Sequence, residues 1–240
     1  MSKLDTGKRL PSQADLEAWA AVTGADQVEL LTLLAQARRE YATIQDLYAQ
    51  AGGADAHQSA IGAAEQAATR IAQFQPTMIL GLLQTGQYAH ELLHLAGGPA
   101  EITSKDDIAR MIASRMRRAA ILYEPGREVT LLMGEAAIRT RLTSSGTMRD
   151  QLAHLARVAE TTPSNVTVGI VPFSRPWPVA PLGGWTLRDD LLTLEHAGGD
   201  LELADPAEVD RYWRNRGLLL EVAATGSDAA ELCKRAAAQI

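Results

Sequence analysis

His90, Glu91 and His94 are the residues whose types and spacing point most directly to chemistry. Two imidazoles four positions apart share one face of a helix and together grip a zinc ion, while the Glu beside the first polarises a metal-bound water. On that reading His90 and His94 are ligands, Glu91 is the base, and the chain is a zinc-dependent metallopeptidase. Such a centre needs a third ligand. One extension of the motif places a His six positions after His94, where this chain has Ala100. Asp106 and Asp107 follow too closely, and Glu124 abuts Pro125. The plainer alternative is two surface or half-buried histidines on a helix whose Leu92, Leu93 and Leu95 face a core. That reading is preferred, so no catalysis, no metal and no cofactor are expected.

Other catalytic patterns are missing from the sequence. It has no G-x-S-x-G, no phosphate-binding G-x-x-x-x-G-K and no G-x-G-x-x-G. The single cysteine, Cys233, excludes an intramolecular disulfide framework and fits a reducing cytoplasm. Its position on an apolar helix face reads as a small core residue. A net charge of −6 argues against a broad basic surface, so any nucleic-acid contact would come from a local patch. No apolar run approaches the roughly 18 residues that span a bilayer, so no membrane partner is expected. With 46% hydrophobic residues but 5% aromatic ones, the core must rest on Leu, Ile, Val and Ala, which suits packed helices.

The elements that must position these residues follow from periodicity and caps. Ser12 with Asp15 forms a capping box that opens a short helix ending at Gly24. Asp26 opens a longer helix, with Val28, Leu31, Leu34 and Tyr41 at helical spacing, ending near Gly52-Gly53. A third helix over about 56–73 carries a weak stripe of Ile61, Ala64, Ala68 and Ile71, broken at Phe74-Gln75-Pro76. A helix from Thr85 to Ala96 stops at Gly97-Gly98-Pro99, and Ser104 with Asp107 opens another that runs through Leu122 and carries Arg110, Arg115, Arg117 and Arg118. The second half changes period. Val129–Met133 and Val166–Val171 read as strands around an amphipathic helix over Met148–Glu160. Trp185–Arg188 and Leu191–Glu195 read as a hairpin turning at Asp189-Asp190, followed by helices over about 206–223 and 227–238. The fold class is α+β, helix-rich, with a small, mainly antiparallel sheet in the second half.

Two segments resemble known families. Ser2-Lys3-Leu4-Asp5-Thr6-Gly7-Lys8-Arg9-Leu10-Pro11-Ser12, with Leu16, Trp19 and Gly24 behind it, resembles the C-terminal third of an Xre-type helix-turn-helix domain. The rest resembles the domain of unknown function, sometimes labelled antitoxin-like, that follows this helix-turn-helix in actinobacterial WhiJ-like regulators. The resemblance rests on Glu65, Ala68, Phe74-x-Pro76, Gly81-Leu-Leu-Gln84-Thr85, Tyr88-Ala89, Arg115-x-x-Arg118, Glu135–Arg139, Gln151-Leu152, Val171-Pro172, Glu195 and Tyr212. The chain departs from the family pattern at Leu80, His90 and Ala119, where Pro, Arg and Gln are usual.

The resemblance implies a transcription-regulator-type protein with three parts: 1–24 as a helix-turn-helix remnant, 25–64 as connecting helices, and 65–240 as the effector-like domain. The recognition helix would start before Met1, so DNA binding is expected to be lost or incomplete in this form, and DNA is a partner only if those helices exist. Ser2, Lys3, Lys8 and Arg9 would at most touch phosphates, which position without specifying. A homodimer, a small partner protein encoded nearby and a cytoplasmic location are also implied. Gly81, Gln84, Thr85, Tyr88, Arg115, Arg118, Glu135 and Glu195 are the residues expected to line a cleft for a ligand or partner. Their plainer roles are structural: a positive-φ turn at Gly81, helix capping or bridging of backbone groups by Gln84 and Thr85, and an ion pair between Glu135 and Arg115 or Arg118.

Overall fold

The computed structural model describes residues 11–41, 54–95, 104–196 and 199–240. Packing divides the chain into two compact units, Met1–Leu47 and Tyr48–Ile240. In the smaller unit, α1 (Gln13–Thr23) packs on α2 (Gln27–Tyr41). The Ser12 hydroxyl accepts from the Asp15 amide at 3.1 Å and the Asp15 carboxylate accepts from the Ser12 amide at 2.8 Å, so the capping box closes in both directions. Gly24 ends α1 in the left-handed region at φ 71°, which only glycine adopts without strain. Asp26 then accepts from the amides of Val28 and Glu29 and starts α2.

The larger unit is built on one sheet. In chain order it contains α3 (Ala54–Ala67), β1 (Arg70–Gln75), a 3₁₀ turn (Gly81–Leu83), α4 (Gly86–Leu93) and α5 (Lys105–Arg118). After β2 (Glu128–Gly134) come α6 (Glu135–Arg139), α7 (Ser145–Thr161), β3 (Val166–Val171), β4 (Trp185–Arg188), β5 (Leu191–His196) and β6 (Gly199–Leu203). It ends with α8 (Pro206–Val222), β7 (Ala224–Thr225) and α9 (Gly226–Ala237). The strand order is β6-β5-β4-β1-β2-β3-β7. Four of the six pairings are antiparallel, but β1, β2 and β3 run parallel at the centre, joined by helical crossovers. The fold is α+β, with a seven-stranded mixed sheet.

Both faces of the sheet are covered. On one, Val129, Leu131, Met133, Val168 and Ile170 pack under α7 and α9, which contribute Leu152, Leu155, Ala229 and Cys233. On the other, Ala72, Phe74, Leu132, Trp185 and Leu187 pack under α8 through Val209 and Leu219. Gly134 is needed where β2 ends, because a Cβ there would stand 2.5 Å from the Pro76 carbonyl oxygen.

Two expectations are corrected. The helix expected over 56–73 stops at Ala67, and Arg70–Gln75 is instead the strand that joins the parallel and antiparallel halves. The Ile61–Ile71 stripe crosses a helix-to-strand junction by coincidence of spacing. Ile71 through Gln75 are all buried, so this strand lacks the alternation that marks a half-exposed one. Leu95, expected to face the core, is exposed. Ser2, Lys3, Lys8 and Arg9, and the expected helix stops at Gly52-Gly53 and Gly97-Gly98-Pro99, lie outside the described residues.

Candidate functional site

Side chains alternate along a strand, so one face of β1, β4 and β5 presents Gln73 and Gln75, Thr186 and Arg188, and Thr193 and Glu195. A covered sheet face is normally apolar, and the same face is apolar on β2 and β3. Under α3, α5 and the 3₁₀ turn it is instead polar, and there it lines a cavity of about 420 Å³. Among the described residues twelve polar or charged side chains are buried, and seven of them line this cavity. Apolar side chains, Met78, Leu80 and Leu92 among them, complete the lining.

Arg118 organises the helical wall. Its guanidinium donates from Nε and Nη2 to the two Glu65 oxygens at 2.8 and 2.6 Å, and from Nη1 to Gln58 at 2.9 Å. Gln73 on the sheet donates to the same Glu65 at 3.2 Å. α3, α5 and β1 are thereby tied at one bidentate ion pair. Arg115, one helical turn before Arg118, donates to Gln84 at 2.9 Å, and Gln84 donates to the Ile79 carbonyl at 2.7 Å. The loop after β1 is thus held closed against α5.

The sheet wall is less evenly satisfied. Gln75 donates to Glu195 through a side chain that occupies the space above Gly184, where a Cβ would stand 2.3 Å from the Gln75 amide nitrogen. Burial pushes the Glu195 carboxyl above the usual carboxylate range, and the nearby Asp200 charge raises it further. Glu195 and Asp200 stand directly opposite each other across β5 and β6, an unfavourable placement for like charges. Arg188 donates from Nη2 to the Thr193 hydroxyl at 2.7 Å and reaches Glu202 at 3.3 Å. Its side chain is 10% exposed, and its buried Nε has no hydrogen-bond partner among the described residues. The wall therefore carries a cation with a spare donor at one end and a crowded pair of carboxyls at the other.

The structure gathers five of the expected cleft residues here: Gly81, Gln84, Arg115, Arg118 and Glu195. The other three lie elsewhere. Thr85 caps α4 by accepting from the Tyr88 amide at 3.3 Å. Tyr88 is fully buried, which pushes its phenol up to about 12 against a smaller opposing effect of the Ile79 backbone. Glu135 pairs with Arg139 at 2.6 Å and accepts from the Phe173 amide at 2.7 Å. The expected pairing of Glu135 with Arg115 or Arg118 is thus replaced by a local one between positions four apart on α6. Gly81 opens the 3₁₀ turn and is not among the glycines with positive φ, so the left-handed turn expected there does not form. Gln58, Gln73, Gln75, Thr186, Arg188, Thr193 and Asp200 were not anticipated. The alternation of polar residues along β4 and β5 is the signal that marks three of them, Thr186, Arg188 and Thr193.

The His-Glu-x-x-His segment runs along α4 to its C-cap at His94. The His90 and His94 rings stack at 4.3 Å between centroids, and the His94 Nδ1 lies 2.7 Å from the His90 carbonyl oxygen. Glu91 turns away to the N-terminus of α7, where it accepts from the Ser144 amide at 2.7 Å and from the Thr147 hydroxyl. Among the described residues no cluster of three or more His, Cys, Asp or Glu side chains could hold a metal ion. In a catalytic zinc site the Glu would instead face the metal-bound water. Cys233 is fully buried, and desolvation pushes its thiol up to about 12, far from a reactive thiolate.

Residues 58–235 match the model of a family described as a domain of unknown function, DUF5753. No curated protein and no solved structure matches the chain.

Proposed function

The chain belongs to the DUF5753 family, and we propose that it is a regulator-type protein whose larger unit binds a small polar ligand in the cavity on β1, β4 and β5. The answer to the ligand is read through contacts with a second copy of the chain or with a small partner protein, as the resemblance to WhiJ-like regulators implies. The reading rests on the sequence resemblance for the regulatory role and on the cavity for the ligand.

One observation carries the ligand part: among the described residues, seven of the twelve buried polar side chains converge on one cavity, and the Arg188 Nε there is a buried donor with no partner among them. Buried polar groups are costly unless satisfied, so native domains concentrate them where something else completes the set. The position supports the same reading. The cavity adjoins the carboxyl end of β1, the strand where parallel pairing gives way to antiparallel pairing. Connections leave such a strand in different directions and open a crevice.

The test is equilibrium dialysis of the full chain against a small-metabolite extract, followed by mass spectrometry of what the protein retains. At least one compound below about 500 Da is expected to be retained, in keeping with a cavity of this size. Retention should fall in Met78→Trp, which narrows the partly exposed rim without touching the buried polar set. A chain that retains nothing, or that retains the same compounds equally well as Met78→Trp, would sink the reading.

A further inference from the structure

Resting on the reading of this cavity as a ligand site, we infer that its ligand is an uncharged molecule carrying several hydroxyl groups, a monosaccharide or a related polyol, seated on a row of polar side chains made by Gln73, Thr186 and Thr193.

Strand register builds the row. Gln73 on β1 stands opposite Thr186 on β4, and Thr186 stands opposite Thr193 on β5. Directly opposed residues share a face of the sheet at a spacing of about 4.8 Å, so the row runs for roughly 10 Å. Its chemistry changes along that length. The Gln73 amide nitrogen is spent on Glu65, and its oxygen makes no hydrogen bond among the described residues. The Gln75 amide, two positions on, is spent in the same way on Glu195. Neither amide oxygen is a sealed atom without a partner, so both acceptors open on the cavity. At the far end Thr193 accepts from Arg188 at 2.7 Å, which leaves its own proton to donate. A carboxylate only accepts and an ammonium only donates, so each would serve one end of the row. A hydroxyl does both, and a molecule with several of them meets the acceptors and the donor alike.

The charges on the wall call for no counter-ion. Arg115, Arg118 and Arg188 line the cavity with Glu65, Glu195 and Asp200, so the lining carries as many cations as carboxyls. Arg118 is paired with Glu65, and Arg188 with Glu202. Arg115 donates to Gln84, and Asp200, which is exposed, has a partner of its own. Glu195 accepts from Gln75 and Thr186. A charged ligand buried here would lose its hydration and find each opposite charge already engaged, whereas an uncharged one avoids that cost. Met78, Leu80 and Leu92 add apolar surface suited to the C–H groups of a ring. At about 30 Å³ per water, a cavity of about 420 Å³ holds roughly fourteen waters, room for one sugar ring with a few waters beside it.

The experiment is saturation-transfer NMR of the full chain with the D-aldohexoses, D-ribose and myo-inositol, followed by calorimetry on those that give a signal. Glucosamine, glucuronate, uracil and nicotinamide serve as charged and amide-bearing counterparts. At least one neutral polyol should bind, about tenfold more tightly than any counterpart, and its signal should fall in Met78→Trp, which narrows the rim. Loss of at least one of its hydroxyls, in a deoxy derivative, should weaken it about tenfold, because a polar group of the row is then left unpaired. Thr193→Val should weaken the same polyol by a similar factor and Thr193→Ser should restore it, with thermal melting checking the fold. The comparison of compounds on the unmodified chain stands even if Thr193→Val fails to fold. Tighter binding of a charged or amide-bearing compound, or deoxy derivatives that all bind as well as their parent, would overturn the inference. So would failure of the whole panel while dialysis still retains other small molecules, which leaves the cavity reading in place. If dialysis retains nothing, the cavity reading itself fails.

Discussion

The Glu91 carboxylate accepts the backbone amide hydrogen of Ser144 at 2.7 Å, and so a residue of α4 completes the N-terminus of α7. The Ser144 side chain caps the same helix end from within by accepting from the Thr147 amide. An anion at this position satisfies otherwise orphaned amides and meets the positive end of the helix dipole.

This contact predicts an acid-dependent loss of stability. Hydrogen bonds from the Thr147 hydroxyl, the Ser144 amide and Gln87 hold the Glu91 carboxyl down at about 2, below its ordinary value of 4.5. A carboxyl lowered on folding contributes stability that is present above its unfolded pKa and is lost as pH falls toward the folded one. Melting temperatures of the unmodified chain and of Glu91→Gln should therefore differ most above pH 4.5 and converge as pH approaches 2. A gap that stays constant across that range would show that the ionised carboxylate is not what holds α7.

The same geometry separates a structural Glu from a metal-site base. His90→Ala with His94→Ala should leave the melting temperature nearly unchanged, since both rings are exposed and Ala is the strongest helix former. Glu91→Ala should lower it. Metal analysis after dialysis is expected to find far less than one zinc per chain. Near-stoichiometric zinc that disappears in the double variant would restore the metallopeptidase reading.

Glu65 and Arg118 form a pair whose side chains are 2% and 12% exposed. Glu65→Ala leaves a buried guanidinium without its carboxylate, and the expected loss in urea unfolding is about 3–5 kcal/mol. The double change Glu65→Met with Arg118→Met should cost much less than the sum of the two single changes, because neither charge is then left alone. Additive losses would mean that the two residues act separately.

The smaller unit should open first. Among its described residues only Leu16 and Leu34 are buried hydrophobics, while Trp19, Val22, Val28 and Leu33 are exposed. Hydrogen exchange in α1 and α2 is expected well below the free energy at which β1, β2 and β3 exchange. Protection equal to that of the sheet would mean that those apolar side chains are covered in solution.

Much of this was legible in the sequence. The caps at Ser12 and Ser104, the strands β2 and β3, and the Asp189-Asp190 hairpin all follow from local chemistry, and Asp189 adopts φ 45° as such a turn requires. Strand β1 was hidden because Ala72, Gln73 and Gln75 are residues that also suit a helix, and only its pairing with β2 and β4 decides its form. The cavity was half visible. Arg115, Arg118 and Gln84 stand in recognisable motifs, but Gln73, Thr186 and Arg188 join them only once the strand order brings distant segments together. The sequence offers Glu135 to Arg115 or Arg118 because spacing says nothing about which carboxylate α3 will deliver.

Gly184 gives the cavity a point of adjustment finer than any of its charges. The volume missing from its side chain is filled by the tip of Gln75, a flexible group rather than backbone. A methyl group there would leave the sheet intact and displace only that amide. Glu195 would then lose the neighbour that now occupies one of its oxygens. Natural variation between Gly and Ala at this one position would therefore retune what the pocket accepts, at almost no cost to the scaffold that carries it.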